Sequence, residues 1–274
     1  MKIALVYNTV ERLSKNGYSE ISSLQLLSNF VESYKKVLGT VSHQLVIVTS
    51  GGEISPAKAN LLSEFEYEVI RYQGQGWDVG ALVHASKELP FFDTLLFLNS
   101  QVQITSPRFL ERFVESWEEN GPGLYGASSS FEVSRHIRTS CIAAPPGVFS
   151  SYPRPTSSRF DATVFEHSPN SISHWAKEGG LNPLVVYSDE TLPLDQSRSK
   201  SDIFRSGNQS KLMISDRHTR IYDEADESEK IRLQRLADGE FPANFRNLGP
   251  VARSLYLLKT GSLGIGEFFR FEKR

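Results

Sequence analysis

The chain has 274 residues, a formal net charge of −2 and 39% hydrophobic residues, enough for one large domain or two small ones with a sizeable core. The near-zero charge argues against nucleic-acid binding, which rests on a basic surface. Cys141 is the only cysteine, which excludes an intrachain disulfide and a cysteine-based zinc site and fits a reducing compartment.

Met1 to Asn8 carries an apolar run too short for a signal-peptide core, and no segment approaches the roughly 20 apolar residues of a membrane span. A soluble, cytoplasmic protein is expected. Ile3 to Tyr7 suits a buried strand. Leu24, Leu27, Phe30, Val31, Tyr34, Val37 and Leu38 recur at helical spacing, and Gly39 stands where a C-cap belongs. Leu45 to Val48 reads as a second strand, closed by Ser50-Gly51-Gly52, and Pro56 suits the first turn of the next helix. Tyr67 to Tyr72 is a third strand. Gly74-Gln75-Gly76-Trp77-Asp78 then turns into a helix from about Asp78 to Glu88. Thr94 to Leu98 is a fourth strand that ends in Asn99-Ser100-Gln101. Pro107 opens a helix with the stripe Phe109, Leu110, Phe113, Val114 and Trp117. This alternation predicts an α/β fold: a mostly parallel sheet with helices on both faces, whose ligands bind outside the carboxyl ends of the strands.

After Gly121 the pattern changes. Gly123 to Ala127 and Ile137 to Ala143 read as extended, and Pro145, Pro146, Pro153 and Pro155 mark an irregular connection. Ser168 or Asn170 caps a helix through Trp175 to Glu178 that ends at Gly179-Gly180, and Leu184 to Tyr187 is a further strand. Leu194 to Ser210 reads as a mobile loop and candidate lid. Asp223 to Arg235 reads as one charged helix, and the C-terminus is aromatic and basic, as in Phe268-Phe269-Arg270-Phe271.

Several groups are candidates for chemistry. Gly74, Gly76 and Gly80 permit positive φ and a close backbone approach to a ligand, and the helix amino end behind them suits an anion. Asp78 is either a ligand contact or an N-cap, and Trp77 either stacks on a ligand or packs. Asn99-Ser100-Gln101 offers amides and a hydroxyl, which hydrogen-bond a ribose or phosphate but hold magnesium poorly. Alternation places His136 and Arg138 on one face of Arg135-His136-Ile137-Arg138-Thr139, toward an anionic ligand or toward solvent. The acidic stretch Asp161 to Ser168 supplies either helix-cap charge or a general base, with His167 beside it as a surface histidine. Asp216-Arg217-His218 is either a solvated turn or a lid segment that neutralises a diphosphate. If it is extended, Asp216 and His218 share one side and a weak metal site.

In this order the motifs resemble a known pattern. Gly76-Trp77-Asp78-Val79-Gly80-Ala81 is similar to the turn of GT-A-like glycosyltransferases of polysaccharide synthesis, including the rhamnan-synthesis F group. Phe97-Leu98-Asn99-Ser100 matches their strand end. Leu124 to Ser128 followed by His136-Ile137-Arg138-Thr139 fits their next extended pair. Phe165-Glu166-His167-Ser168, a helix and Gly179-Gly180 resembles their late glutamate element. The resemblance covers roughly residues 1 to 190. It implies a single GT-A-like, Rossmann-like domain over 1–274, with a nucleotide-sugar half (1–130), an acceptor half (131–190) and a mobile loop with an irregular C-terminal extension (191–274). It also implies a nucleotide-sugar donor and a glycan or lipid-linked glycan acceptor. Tyr7, Asn8, Ser50, Gly51 and Asp78 would contact base and ribose, Gly76 and Trp77 would also lie in the nucleotide site, and Asn99 and Ser100 would lie near the ribose or diphosphate. Arg138, Arg217 and His218 would counter the diphosphate charge, and Glu166 would deprotonate the acceptor if the enzyme inverts, whereas a retaining enzyme would use that carboxylate differently. Many such enzymes carry an Asp-x-Asp metal pair where this chain has Ser100-Gln101-Val102, so a manganese or magnesium requirement stays open. A non-catalytic nucleotide or sugar binder is the alternative. A third reading has the C-terminus contact a membrane-bound assembly at the inner face of the membrane.

Overall fold

A computed structural model describes residues 1–11 and 20–240; the aromatic, basic C-terminus lies outside the described residues. The chain begins β1 (Ile3–Val10), α1 (Glu20–Tyr34), β2 (Gln44–Ser50), α2 (Pro56–Leu62), β3 (Tyr67–Tyr72), α3 (Trp77–Glu88) and β4 (Thr94–Leu98). It continues through β5 (Gln103–Ile104), α4 (Phe109–Asn120), β6 (Leu124–Gly126), β7 (Ser129–Ser130), β8 (His136–Ile137) and β9 (Cys141–Ala144). Then come α5 (Pro146–Ser150), α6 (Arg159–His167), α7 (Ile172–Glu178), β10 (Pro183–Val186) and β11 (Thr191–Pro193). The described chain closes with β12 (Ile214–Ser215), α8 (Arg217–Glu224) and α9 (Glu227–Ala237).

The expected α/β architecture is present. One 8-stranded sheet has the order β11-β10-β6-β9-β4-β1-β2-β3. Pairing is parallel from β4 through β1 and β2 to β3 and between β6 and β10, while β9 and β11 run antiparallel to their neighbours. β1 is buried along its whole length because helices cover both faces. Strand alternation sends Ala4 and Val6 to one face, with Val79 and Leu82 of α3, Phe149 of α5 and Phe165 of α6. Leu5 and Tyr7 go to the other, with Leu27 and Phe30 of α1 and Phe109 and Phe113 of α4. Among the described residues, no helix is long and apolar enough to cross a membrane.

Four expectations change. The proline-rich connection holds a short helix, α5, because Pro146 sits in the first turn, where its missing N–H costs nothing. The stretch containing Asp161 and Glu166 is itself helical; Ser158 caps α6 by accepting the Asp161 N–H, and Ser171, rather than Ser168 or Asn170, caps α7. The single charged helix is two, since Asp226 caps α9 by accepting the Glu229 N–H. Leu194 to Ser210 is packed rather than loose. Ile203 and Phe204 insert into the core, Arg205 and Gln209 are buried, and Arg198 pairs with Asp238. Several of its polar side chains pair with residues outside the segment, Arg205 with Glu132 and Gln209 with Asp223, so a polar composition does not make it a lid.

Candidate functional site

The strand order reverses at β1: β2 and β3 lie to one side, β4 to the other. This opens a crevice at the carboxyl ends of β1 and β4. Asn8, near the end of β1, is buried there. Its Nδ2 donates to Asp78 Oδ1 and its Oδ1 accepts from Ser50 Oγ at 2.7 Å. Three of the expected contact residues, from β1, β2 and α3, are therefore one hydrogen-bonded set. Asp78 is not the N-cap of α3; Gly76 is, and Asp78 lies in the first turn. Burial raises its carboxyl to about 6; the Asn8 amide opposes that rise and the charge of Glu166 reinforces it.

The glycine turn serves the protein's own packing. Gly76 has φ −80° and Gly80 is helical, so neither uses a left-handed conformation; Trp77 does, at φ 55°. A Cβ on Gly76 would lie 1.7 Å from the Thr156 carbonyl, and one on Gly80 would lie 2.0 Å from the Tyr72 hydroxyl. The expected close approach is thus to Tyr72 and Thr156. Trp77 is half-buried, with the Arg159 guanidinium 5.4 Å from its ring centroid. Gly51 does use positive φ, at 94°, to turn the chain after β2.

Tyr7 is placed in the core rather than toward a ligand. It is fully buried, stacks on Phe30 at 3.9 Å, and its hydroxyl donates to the Ser100 carbonyl at 2.8 Å. Alternation decides this: Asn8 faces the crevice, so Tyr7 faces α1. At the end of β4, Asn99 Oδ1 accepts the Gln101 N–H at 3.0 Å, and Ser100 is buried. The donors that a sugar diphosphate's magnesium or manganese needs are absent at this strand end: one amide oxygen is committed to a turn and no carboxylate is present.

Because β9 is antiparallel, its beginning lies at the crevice: Cys141 pairs with Leu98, and the Ser140 carbonyl accepts the Asn99 N–H at 3.0 Å. The residues just before β9 arrive at the same edge. Arg138 is buried. Its Nη2 lies 2.8 Å from Asp216 Oδ2, and its guanidinium stacks 3.8 Å from the Phe204 centroid. Asp216 and His218 do not alternate on a strand. Asp216 caps α8, accepting the His218 and Thr219 N–H groups at 2.8 and 3.0 Å, and His218 turns toward Arg205 at 3.3 Å. Arg217 is exposed on the first turn of α8. Desolvation favours the neutral Asp216 carboxyl, but Arg138, His218 and the Thr219 amide outweigh it and hold it at about 2.

Glu166, in the last turn of α6, accepts the Thr139 N–H at 3.0 Å through Oε1; Oε2 lies 3.5 Å from His167 Nε2. Burial alone would raise this carboxyl. His167, His136, Arg138 and the Thr139 amide overcome that and hold it at about 2. His136 is fully buried, meets the His167 ring at 4.5 Å and is kept neutral, its pKa pushed down to about 3 chiefly by burial. His167 is thus a neighbour in this cluster rather than an isolated surface histidine.

Some residues carried no signal in the sequence. Lys58 is buried on α2, where its Nζ meets Glu11 Oε1 at 2.8 Å, the Val10 carbonyl at 2.8 Å and Ser23 Oγ at 2.7 Å. Arg205, also buried, pairs with Glu132 at 3.3 Å. A lysine in a helix or an arginine in a polar loop looks solvated until the fold surrounds it.

No known family's sequence profile matches the chain, and no curated protein matches it. Among solved structures, a nucleotidyl transferase from Methanothermobacter is similar at 16% identity, over 67% of this chain and 86% of that one, with a TM-score of 0.42. TarS from S. aureus is similar at 11% identity, over 60% of this chain and 32% of that one, with a TM-score of 0.42. Glucosyl-3-phosphoglycerate synthase from Mycobacterium tuberculosis is similar at 14% identity, over 54% and 56% respectively, with a TM-score of 0.37. Matches this distant assign no role to any residue of this chain.

Proposed function

We propose that this chain is a GT-A-like glycosyltransferase that moves a sugar from a nucleotide-sugar donor to a glycan or lipid-linked glycan acceptor. Its setting would be cell-surface polysaccharide assembly, from the cytoplasmic side of the membrane. The observation that carries this reading is the packing of α6, which bears Glu166, against α3, which bears Asp78. It joins the Asn8–Ser50–Asp78 set, suited to a nucleoside, to the carboxylate of the later half in one crevice. Asn8, Ser50, Gly51 and Asp78 offer hydrogen bonds to base and ribose. The amino end of α3 offers N–H groups and a positive dipole end to the diphosphate. Arg217 and His218 supply further donors from α8, whereas Arg138 is committed to Asp216.

Glu166 is the acceptor-side carboxylate. A group held at about 2 is ionised at any working pH and is a weak base. It suits taking the acceptor hydroxyl's proton late, once the forming glycosidic bond has made that proton acidic. Glu166→Gln should lower turnover by roughly 100-fold and leave donor binding nearly unchanged.

The test is a thermal-shift panel of nucleotides and nucleotide sugars, followed by an assay for released nucleoside diphosphate. A bound donor raises the melting temperature by mass action. The reading fails if no nucleotide or nucleotide sugar stabilises the protein, and its base assignment fails if Glu166→Gln turns over normally. One observation favours the second reading, a non-catalytic binder: the end of β4 has no carboxylate, and Asn99 Oδ1 is used by the turn. Stabilisation by a nucleotide sugar without transfer or hydrolysis identifies that case.

A further inference from the structure

The cluster beside Glu166 contains two buried nitrogens with no partner. The His136 ring is fully buried, and Nδ1 lies 2.8 Å from the Ser134 carbonyl. That contact makes Nδ1 the protonated nitrogen and turns the lone pair to Nε2, which has no hydrogen-bond partner. His167 Nδ1 is likewise buried and unpartnered. Glu166 Oε2 approaches the other ring nitrogen of His167, Nε2, only to 3.5 Å, too long for a strong hydrogen bond. One ligand atom from each of His136, Glu166 and His167 lies within 4.8 Å of the others.

We propose that His136, Glu166 and His167 form a binding site for one divalent first-row transition cation of the zinc, cobalt or manganese type. An unpaired buried acceptor costs about 1–3 kcal/mol, and here the His136 Nε2 lone pair is one, in a group with a carboxylate and a second imidazole. A cation would give that lone pair a partner, with one ligand atom each from Glu166 and His167. Bonds of about 2.0–2.1 Å set ligand atoms on a tetrahedral cation a little over 3 Å apart, so side-chain rotation of about an ångström closes the site. Two imidazoles and one carboxylate select these metals over magnesium and calcium, which prefer oxygen. The Nδ1 contact to Ser134 is the outer hydrogen bond that orients metal-binding histidines. Three protein ligands leave a coordination position open. The lack of cysteine thiolates excluded only a cysteine-based site.

The proposal does not rest on the sugar-transfer reading. The two meet at Glu166, since a lone pair given to a cation is not available to a proton. The test is equilibrium binding of Co2+ and Zn2+ to the full chain by calorimetry, with Co2+ followed by its visible absorption. We expect one equivalent of either metal bound by the native protein. His136→Gln and His167→Asn should each weaken binding at least about 10-fold. His167 is partly exposed, so its variant keeps the test available if substitution at buried His136 disrupts folding, as read by circular dichroism. His174→Gln removes the exposed His174–Glu178 pair on α7 and should change nothing. Absence of stoichiometric binding, binding that survives His167→Asn, or binding lost with His174→Gln overturns the proposal. Metal binding without sugar transfer sustains it and defeats the transfer reading; transfer by a protein that binds no metal does the reverse.

Discussion

Asp78 shows what a single residue can and cannot reveal. Its position after a glycine turn and before a helix marks it in the sequence. Its protonation does not, because that depends on burial, on Asn8 and on Glu166. A carboxyl raised from 3.8 to about 6 in the folded state favours folding below its unfolded pKa. That contribution is lost as pH rises through the folded value. Asp78→Asn keeps a hydrogen-bonding oxygen for Asn8 and removes the charge. After discounting for solvent screening, it should stabilise the fold by about 1 kcal/mol at pH 7.5, or ~2–4 °C in melting temperature. The gain should vanish near pH 4, which melts at the two pH values will show. The same variant should weaken nucleotide binding. Arg138 is the opposite case: the sequence leaves it open to an anionic ligand or to solvent, and the fold gives its charge to Asp216.

At the scale of elements, β9 and α8 do most to build the site. The sequence marks Ile137 to Ala143 as extended, but strand direction is not a local property. Antiparallel pairing of β9 with β4 carries Arg138 and Thr139 to the crevice; a parallel strand would have put them at the far edge. The start of α8 then sets Asp216 against Arg138 while capping its own helix. Asp216→Ala removes both the charge and the cap, leaving Arg138 buried and uncompensated, and should cost about 3–5 kcal/mol. Asp216→Asn retains cap acceptors and should be milder by about 1 kcal/mol. Urea titration of the two variants separates cap from charge. Asp216 is held at about 2, below its unfolded 3.8. Its contribution is therefore present above about pH 4 and lost as pH falls toward 2.

In the whole molecule, the carboxyl end of β1 is tied to α1 and α2 by Lys58, through Glu11, Val10 and Ser23. Lys58→Met leaves Glu11 charged, buried and without its cation, and should cost about 3–5 kcal/mol. Adding Glu11→Leu should recover much of that loss, a coupling that a double-mutant cycle measures. Most strands and helices were legible in the sequence, because apolar periodicity and glycine or proline breaks act within a few residues. Tyr67–Tyr72 and Thr94–Leu98 match their expected bounds, and α3 begins one residue early. The misreadings fall where local composition misleads: polar Leu194 to Ser210 is packed, and Tyr7 points into the core. The sequence by itself thus determined the α/β order and singled out Asn8, Asp78 and Glu166 as residues of interest. Only the tertiary structure decided that Asn8, Ser50 and Asp78 are one set and that Arg138 is neutralised. It alone brought His136 beside Glu166 and His167. Those outcomes depend on register, strand direction and desolvation, which arise between segments far apart in the chain.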